Sequence, residues 1–175
     1  MSAILSACGT FRYELQRDVD TLRGALVSMD GQLDGKVVAF FGINPSTADA
    51  IDNDPTVRRW IGFCHLWGAT RFIVGNAFAF RSKNVKLLRE QHDPIGPEND
   101  DHLHRIACQA DMLVPCWGAR NKLPRELQPR LDYVLDLLRS TGKPLMCFGT
   151  TPAGDPLHPL YLPYTTELRP LQTTP

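Results

Sequence analysis

Residues 36–49 read KVVAFFGINPSTAD and decide the fold class. The apolar run from Val37 to Phe41 has the length of a strand and ends at Gly42. A continuous apolar run bounded by turn residues is typical of a strand that is covered on both faces, as in a parallel sheet between helices. The asparagine, proline, serine and threonine after this run predict a loop at the carboxyl end of the strand.

Similar apolar runs recur along the chain, separated by helical patterns. They predict buried strands over 71–74, 112–117 and 144–148, each followed directly by a glycine. Helices are predicted between them, over 54–67, 97–108 and 124–141, with a short helical turn at 85–89. Asp54 and Pro55 mark the start of the first helix, because aspartate caps helices and proline suits the first helical position.

The N-terminal part of the chain adds a different pattern. Residues 11–17 alternate apolar and polar side chains, which predicts a half-buried strand or hairpin. Apolar residues at helical spacing within 18–31 predict a short helix. Together these patterns predict a single α/β domain over residues 1–175, with three layers (α/β/α) around a central, mainly parallel four-stranded sheet plus the N-terminal strand or hairpin.

The charge of the chain is balanced overall but uneven along it. The 19 Lys and Arg residues equal the 19 Asp and Glu residues in number. Proteins that grip duplex nucleic acid usually carry a positive excess, because phosphate contacts supply most of the affinity. The stretch from Arg58 to Glu90, however, has Glu90 as its only acidic residue. This stretch is either an ordinary solvated face or the rim of a phosphate-binding site.

Composition also indicates where the protein is located and whether it carries a metal or cofactor. No apolar run approaches the roughly 20 residues of a membrane span, and the short apolar segment at residues 1–9 lacks a basic leader. The five cysteines form no C-x-x-C pair, which is typical of reduced thiols. We therefore expect a soluble, cytoplasmic protein with no membrane partner, no metal and no cofactor. The oligomeric state stays open.

Four loops follow the predicted strands, at 42–49, 76–81, 117–122 and 149–161. In open α/β sheets, ligands bind beyond the carboxyl ends of the strands. We therefore predict a working site around Gly42–Asp49 and His158–Tyr161. Within it, Asn44 can orient a water or bind a substrate, although an asparagine-proline turn has the same sequence pattern.

Three aspartates crowd into residues 49–54. Paired carboxylates can bind a metal or act as a base. For Asp54 we favour helix capping, because it stands directly before the predicted helix. The sequence leaves open whether Asp49 or Asp52 faces the pocket.

Three further side chains fit recognition of a nucleobase and its departure. Asn76 carries both a donor and an acceptor, and Phe78 nearby could stack on a base or pack in the core. His158 is the strongest candidate, because it lies in a proline-rich segment after the last predicted strand. A histidine there can donate a hydrogen bond to a developing anion.

Motifs from Phe11 to Leu162 resemble the family named domain of unknown function 1643, found in bacteria and phages. The carrying motifs are Tyr13–Arg17, GINPSTAD (42–49), DPTVRRW (54–60), Trp67-Gly68, Asn76–Arg81, DPIGPEND (93–100), Cys116–Gly118 and residues 154–161, which end in HPLY. Membership of this family does not imply any established activity.

The same landmarks are similar in order to those of the uracil-DNA glycosylase superfamily. Gly42-Ile43-Asn44-Pro45 resembles the water-activating motif of its mismatch-specific branch, and Asn76 resembles its base-reading asparagine. LVPCWGARNK (113–122) resembles its central strand and Trp-Gly turn, and His158-Pro159 resembles the histidine-proline that stabilises the departing base. The resemblance implies a uracil-DNA glycosylase-like fold and cleavage of a nucleobase–sugar bond, in DNA or in a free nucleotide.

On this interpretation the protein is a glycosylase-like enzyme whose partner is a nucleobase-containing ligand. Its candidate catalytic residues are Asn44 and His158. The candidate substrate-binding residues are Gly42, Ile43, Pro45, Ser46, Asn76, Phe78, Arg81 and Tyr161. The candidate phosphate-binding residues are Thr47, Arg58 and Arg59. The alternative is a non-catalytic module on the same fold that binds a nucleotide or a modified base.

Overall fold

The computed structural model describes residues 1–19, 33–46, 48 and 51–172. The helix predicted over 18–31 falls, apart from its first two residues, outside the described residues. Thr47 and Asp49 also lie outside them.

A mixed five-stranded sheet forms the centre of the fold. Its strands are β1 (Ser2–Leu5), β2 (Arg12–Asp18), β3 (Val37–Gly42), β4 (Arg71–Asn76) and β5 (Met112–Pro115), in the order β1-β2-β4-β3-β5. The parallel part is β4-β3-β5, whereas β1 and β2 pair antiparallel with each other and β2 pairs antiparallel with β4. The N-terminal hairpin thus extends the sheet, so the predicted four-stranded, mainly parallel sheet is replaced by a mixed one.

The strand predicted over 144–148 pairs differently from the prediction. Only β6 (Met146–Cys147) forms there, and it pairs antiparallel with β7 (Arg169–Pro170). Leu145 makes one isolated parallel bridge to Leu113 of β5. The backbone N–H of Leu113 donates to the carbonyl of Pro144, and the N–H of Leu171 donates to the carbonyl of Leu145, so this segment lies between β5 and the C-terminal residues.

Within the described ranges, three α-helices accompany the sheet: α1 (Pro55–Trp67), α2 (Asn99–Gln109) and α3 (Pro129–Ser140). The predicted start of α1 is confirmed, because Asp54 accepts a hydrogen bond from the N–H of Val57 at 2.9 Å. Gly68, in the left-handed region at φ +77°, ends this helix. The helix predicted over 124–141 is shorter, since residues 125–127 form a separate 3₁₀ turn before Pro129. Residues Val85–Glu90 also form a 3₁₀ helix.

Alternate residues of β3 face two separate hydrophobic clusters. Phe40 packs on the α1 side, where its ring stacks on Trp60 with centroids 5.2 Å apart. Phe41 packs on the other side, with Leu103 of α2 and Leu131 of α3. Helices therefore cover both faces of the sheet, and its carboxyl edge is left for the loops. None of the described helices has the length and apolar character needed to cross a membrane.

Candidate functional site

A cavity of about 360 Å³ opens at the carboxyl ends of β3, β4 and β5. All four loops predicted to converge contribute side chains to it. The predicted site residues that line it are Gly42, Ile43, Asn44, Ser46, Asn76, His158 and Tyr161. The fold thus brings together residues that are more than 100 positions apart in the chain.

Three other predicted substrate-binding residues lie outside the cavity lining. Phe78 is fully buried in the hydrophobic core on the α2 and α3 side, so the structure places it in the packing role. Pro45 is buried, and its carbonyl accepts from the N–H of Ser82 at 2.9 Å. Arg81 directs a guanidinium nitrogen to the carbonyl of Gly9, 3.4 Å away.

The two arginines predicted to bind phosphate hold the protein's own backbone instead. Arg58 donates to the carbonyl of Asn53. Arg59 donates to the carbonyl of Leu162, and its guanidinium lies 3.7 Å from the centroid of the Tyr164 ring. Neither arginine lines the cavity.

Of the three aspartates near α1, Asp54 lines the cavity, while Asp52 is exposed and does not. Both carboxylate oxygens of Asp54 accept hydrogen bonds, one from the N–H of Val57 and the other from the hydroxyl of Ser46 at 2.8 Å. The capping interpretation is therefore correct for Asp54, and the cap also places its negative charge beside the cavity.

Asn44 is held by its amide nitrogen. Nδ2 donates to the carbonyl of Ser82 at 2.7 Å and to that of Pro45 at 3.1 Å, with a longer contact to the carbonyl of Phe80 at 3.4 Å. These contacts tie the loop after β3 to the loop after β4. With the nitrogen engaged, the carbonyl oxygen of the amide is the atom that can accept a hydrogen bond from a water or ligand.

Asn76 lies at the floor of the cavity with 3% of its surface exposed. Its Nδ2 atom is buried and has no hydrogen-bond partner in the part of the chain that the structure describes. A Cβ atom on Gly42 would lie 3.0 Å from Oδ1 of Asn76, so a glycine at 42 gives this side chain its space. A buried N–H group without a partner costs free energy, which a ligand acceptor could recover.

The backbone beneath Asn76 is fixed by Asn99, a residue of the DPIGPEND motif at the start of α2. Its fully buried Nδ2 atom donates to the carbonyls of Asn76 and Ala77, at 3.0 and 3.2 Å. The N–H of Ala77 donates in turn to the carbonyl of Gly42 at 2.9 Å. Asn99 therefore positions Asn76, a role that the motif resemblance did not assign.

His158 is partly buried in the cavity wall. Its Nδ1 atom accepts a hydrogen bond from the backbone N–H of Leu160 at 3.3 Å. Burial, reinforced by the positive charge of Lys122 and opposed by Asp54, lowers the pKa of His158 to about 4. The ring is therefore neutral at physiological pH and can use Nε2–H as a donor.

A charge network around the buried carboxylate of Asp155 anchors the segment that carries His158. Asp155, with 1% of its side chain exposed, accepts from Arg120 Nε at 2.7 Å and from the Arg120 backbone N–H at 2.9 Å. Arg120 also forms a bidentate pair with Asp132 of α3. Gly118, at φ +78°, lies so close that an added Cβ would be 3.2 Å from the Cβ of His158. The network fixes the His158 segment against the loop after β5.

Several lining residues escaped prediction, and three of them are cationic: Arg12, Lys83 and Lys122. Arg12 is 3% exposed and donates to the carbonyl of Ala48 at 2.5 Å. It sits in a strand whose alternating pattern gives no hint of a site. Lys122 lies in the loop 117–122, which the sequence predicts to reach the site. The predicted position of this loop was therefore a signal that could have identified Lys122 as a lining residue. Among the described lining residues, Asp54 is the single carboxylate beside these three cationic side chains.

No curated protein and no solved structure matches this chain. The model of the family described as protein of unknown function DUF1643 matches residues 12–160, a range that includes every described residue assigned above to the cavity except Tyr161. The chain therefore belongs to the DUF1643 family.

Proposed function

We propose that this protein is a glycosylase-like hydrolase that cleaves a nucleobase–sugar bond. The observation that carries the proposal is the convergence of Asn44, Asn76 and His158 on one cavity, from three separate loops. In this proposal Asn44 positions the attacking water, Asn76 binds the base, and His158 stabilises the base as it leaves.

The protonation state of His158 suits the departure of a base. Cleavage of the glycosidic bond leaves its electron pair on the base, which becomes anionic. A neutral imidazole whose Nδ1 atom accepts from Leu160 can donate Nε2–H to an oxygen of that anion. Donors fixed in advance toward a developing anion lower the barrier, because they need no reorganisation during the reaction.

The water is the second requirement. The amide oxygen of Asn44 is available to accept a hydrogen bond from it, since the amide nitrogen is held by backbone carbonyls. The water oxygen bonds to the anomeric carbon as the carbon–nitrogen bond breaks, and the proton of the water ends on the released base. An amide is a weak base, so we expect slow turnover.

The order of the motifs along the chain supports the same function. GINP at 42–45, Asn76 and His158-Pro159 follow one another as the corresponding motifs do in the uracil-DNA glycosylase superfamily, which they resemble. Helices on both faces of the sheet are compatible with the three-layer architecture that the resemblance implies. We therefore also propose that the fold is uracil-DNA glycosylase-like, with an added N-terminal hairpin.

A binding module without catalysis is the second candidate. Asn76 and Trp117 line the cavity, and each has a buried donor, Nδ2 and Nε1 respectively, without a hydrogen-bond partner in the described parts of the chain. A ligand acceptor would satisfy them whether or not a bond is broken. An unaltered nucleotide that raises the melting temperature, without release of its base, would favour this candidate.

The experiment is mass-spectrometric detection of free base. Purified protein is incubated with oligonucleotides and nucleotides that carry normal, deaminated and hypermodified bases. We expect release by the native protein and a loss of about 10²–10³-fold in rate for His158→Ala. Arg58→Ala is the matched control, because Arg58 is exposed and lies outside the cavity. Release that survives both His158→Ala and Asn44→Ala would refute the assigned roles.

A further inference from the structure

The cavity has two exposed lysines at its mouth. Lys83 comes from the loop after β4, and Lys122 comes from the loop after β5. Both side chains line the cavity, although both residues are exposed. No ion pair or side-chain hydrogen bond joins either ammonium group to another residue within the described ranges.

Among the described residues, the other charged side chains that line the cavity do not cancel the charge of these two lysines. Arg12 lies deeper in the wall, where it donates to the carbonyl of Ala48. Asp54 is the opposing carboxylate, and both of its oxygens already accept hydrogen bonds. His158 is neutral at physiological pH. The mouth is therefore suited to an anion.

The floor of the cavity differs from its mouth, because it carries hydrogen-bond donors that are uncharged. Nδ2 of Asn76 and Nε1 of Trp117 are buried donors whose residues are 3% and 2% exposed, and neither has a partner in the described structure. A ligand that reaches the floor must present hydrogen-bond acceptors there, or these donors stay unsatisfied. A ring with carbonyl or ring-nitrogen acceptors meets this requirement, whereas a hydrocarbon does not.

We infer that the cavity binds a free nucleoside monophosphate, with the base at the floor and the phosphate between Lys83 and Lys122. The position of the base rests on the proposed function, and the phosphate site is new. The volume of about 360 Å³ lies at the small end of ligand sites, which suits one nucleotide. A DNA ligand would require further phosphate contacts, and the chain has no net positive charge to supply long-range attraction.

Calorimetric binding tests this inference without requiring cleavage. The titrants are uridine, cytidine, adenosine and guanosine, their 5′-monophosphates, inorganic phosphate and a single-stranded thymidine tetranucleotide. Titrations use the native protein and also His158→Ala, so that hydrolysis does not distort the affinity. We expect at least one monophosphate to bind about 10- to 100-fold more tightly than its nucleoside, the range that two hydrogen bonds of ordinary net strength support.

Lysine substitutions locate the phosphate. In Lys83→Gln/Lys122→Gln the monophosphate should bind no more tightly than the nucleoside. Lys86→Gln is the control, because Lys86 is an exposed lysine near Lys83 that does not line the cavity. Equal binding of nucleoside and monophosphate by the native protein, or a double variant that keeps the preference, would overturn the inference. Absence of any nucleoside or nucleotide binding would overturn it as well.

The remaining outcomes separate this inference from the proposed function. A tetranucleotide that binds more tightly than every monophosphate, with steep salt dependence, would replace the free nucleotide with a single strand. Monophosphate binding without base release would refute the hydrolase and leave the phosphate site intact. Base release that is insensitive to the two lysines would support the hydrolase and refute the phosphate site.

Discussion

The backbone N–H of Leu160 donates a hydrogen bond to Nδ1 of His158, two residues earlier in the chain, at 3.3 Å. An Nδ1 atom that accepts leaves the proton of the neutral ring on Nε2. The same contact caps the 3₁₀ turn Pro159–Tyr161 that follows. Local backbone geometry thus selects the tautomer that the proposed chemistry needs.

The pKa of His158 should respond to Lys122 and not to Lys83. Burial is the largest cause of the lowered value of about 4, and the charge of Lys122 is the second. Lys122→Gln should therefore raise the pKa of His158, though not to the ordinary 6.5, because burial persists. Lys83→Gln, at the same cavity mouth, should leave it unchanged. An NMR titration of the imidazole measures all three proteins, and a native His158 that titrates near 6.5 would contradict the geometry described.

The free energy of unfolding should decrease at acidic pH because of His158. The pKa of His158 is about 4 in the folded state and 6.5 as a model value, so below pH 6.5 the unfolded chain binds a proton that the folded protein does not. The free energy of unfolding should drop as the pH falls from about 6.5 to about 4. The contribution of His158 to this slope should stay below about 1.4 kcal/mol per pH unit, because the unfolded and folded states can differ by at most one proton at this residue.

Urea unfolding at several pH values between 4 and 7 measures this slope. His158→Asn should flatten it, because asparagine does not titrate. His65→Asn is the control, since His65 lies on α1 and does not line the cavity. Identical slopes for the native protein and His158→Asn would show that His158 is not the group responsible.

Asn99→Ala should weaken both the fold and the site. It removes hydrogen bonds to the carbonyls of Asn76 and Ala77 and leaves these buried groups with fewer donors. We expect a loss of about 1–3 kcal/mol in the free energy of unfolding, together with weaker ligand binding through the displaced Asn76. Asn84→Ala, which removes an exposed cap from the 3₁₀ helix Val85–Glu90, should cost less and leave ligand affinity unchanged. Equal effects of the two variants on affinity would remove the positioning role of Asn99.

The two carboxylates bound to Arg120 should differ in importance. Arg120→Ala leaves the carboxylate of Asp155 buried without its cation, and breaking such a pair typically costs about 3–5 kcal/mol. Asp132→Asn removes only the exposed partner and should cost about 1 kcal/mol or less. Chemical unfolding compares the two variants. A cost for Asp132→Asn as large as that for Arg120→Ala would contradict the anchoring role given to Asp155.

The features that sequence predicts well are those set by neighbouring residues. Asp54 caps α1 because the acceptor and the N–H of Val57 are three positions apart, so the pattern and the contact coincide. The apolar run from Val37 to Phe41 predicts a strand buried on both faces, and the two hydrophobic clusters confirm it. The convergence of the loops follows from the parallel direction of β3, β4 and β5.

The features that sequence misses depend on distant partners. Arg59 lies in a basic motif, but its partner is the carbonyl of Leu162, 103 residues away. Arg12 reaches the cavity only because β2 pairs antiparallel with β4, next to the parallel strands. In the segment predicted as a strand over 144–148, the carbonyl of Leu145 accepts a hydrogen bond from the N–H of Leu171 in the C-terminal segment. Local periodicity carries no information about any of these contacts.

Hydrolysis in ¹⁸O-labelled water tests the central claim most directly. A substrate identified by base release is incubated with the native protein in this water, and the sugar and base products are weighed by mass spectrometry. We predict free base together with a sugar that carries one ¹⁸O atom, and neither product in the presence of His158→Ala at the same time point. Base release without ¹⁸O in the sugar, or undiminished base release by His158→Ala, would contradict water attack in this cavity.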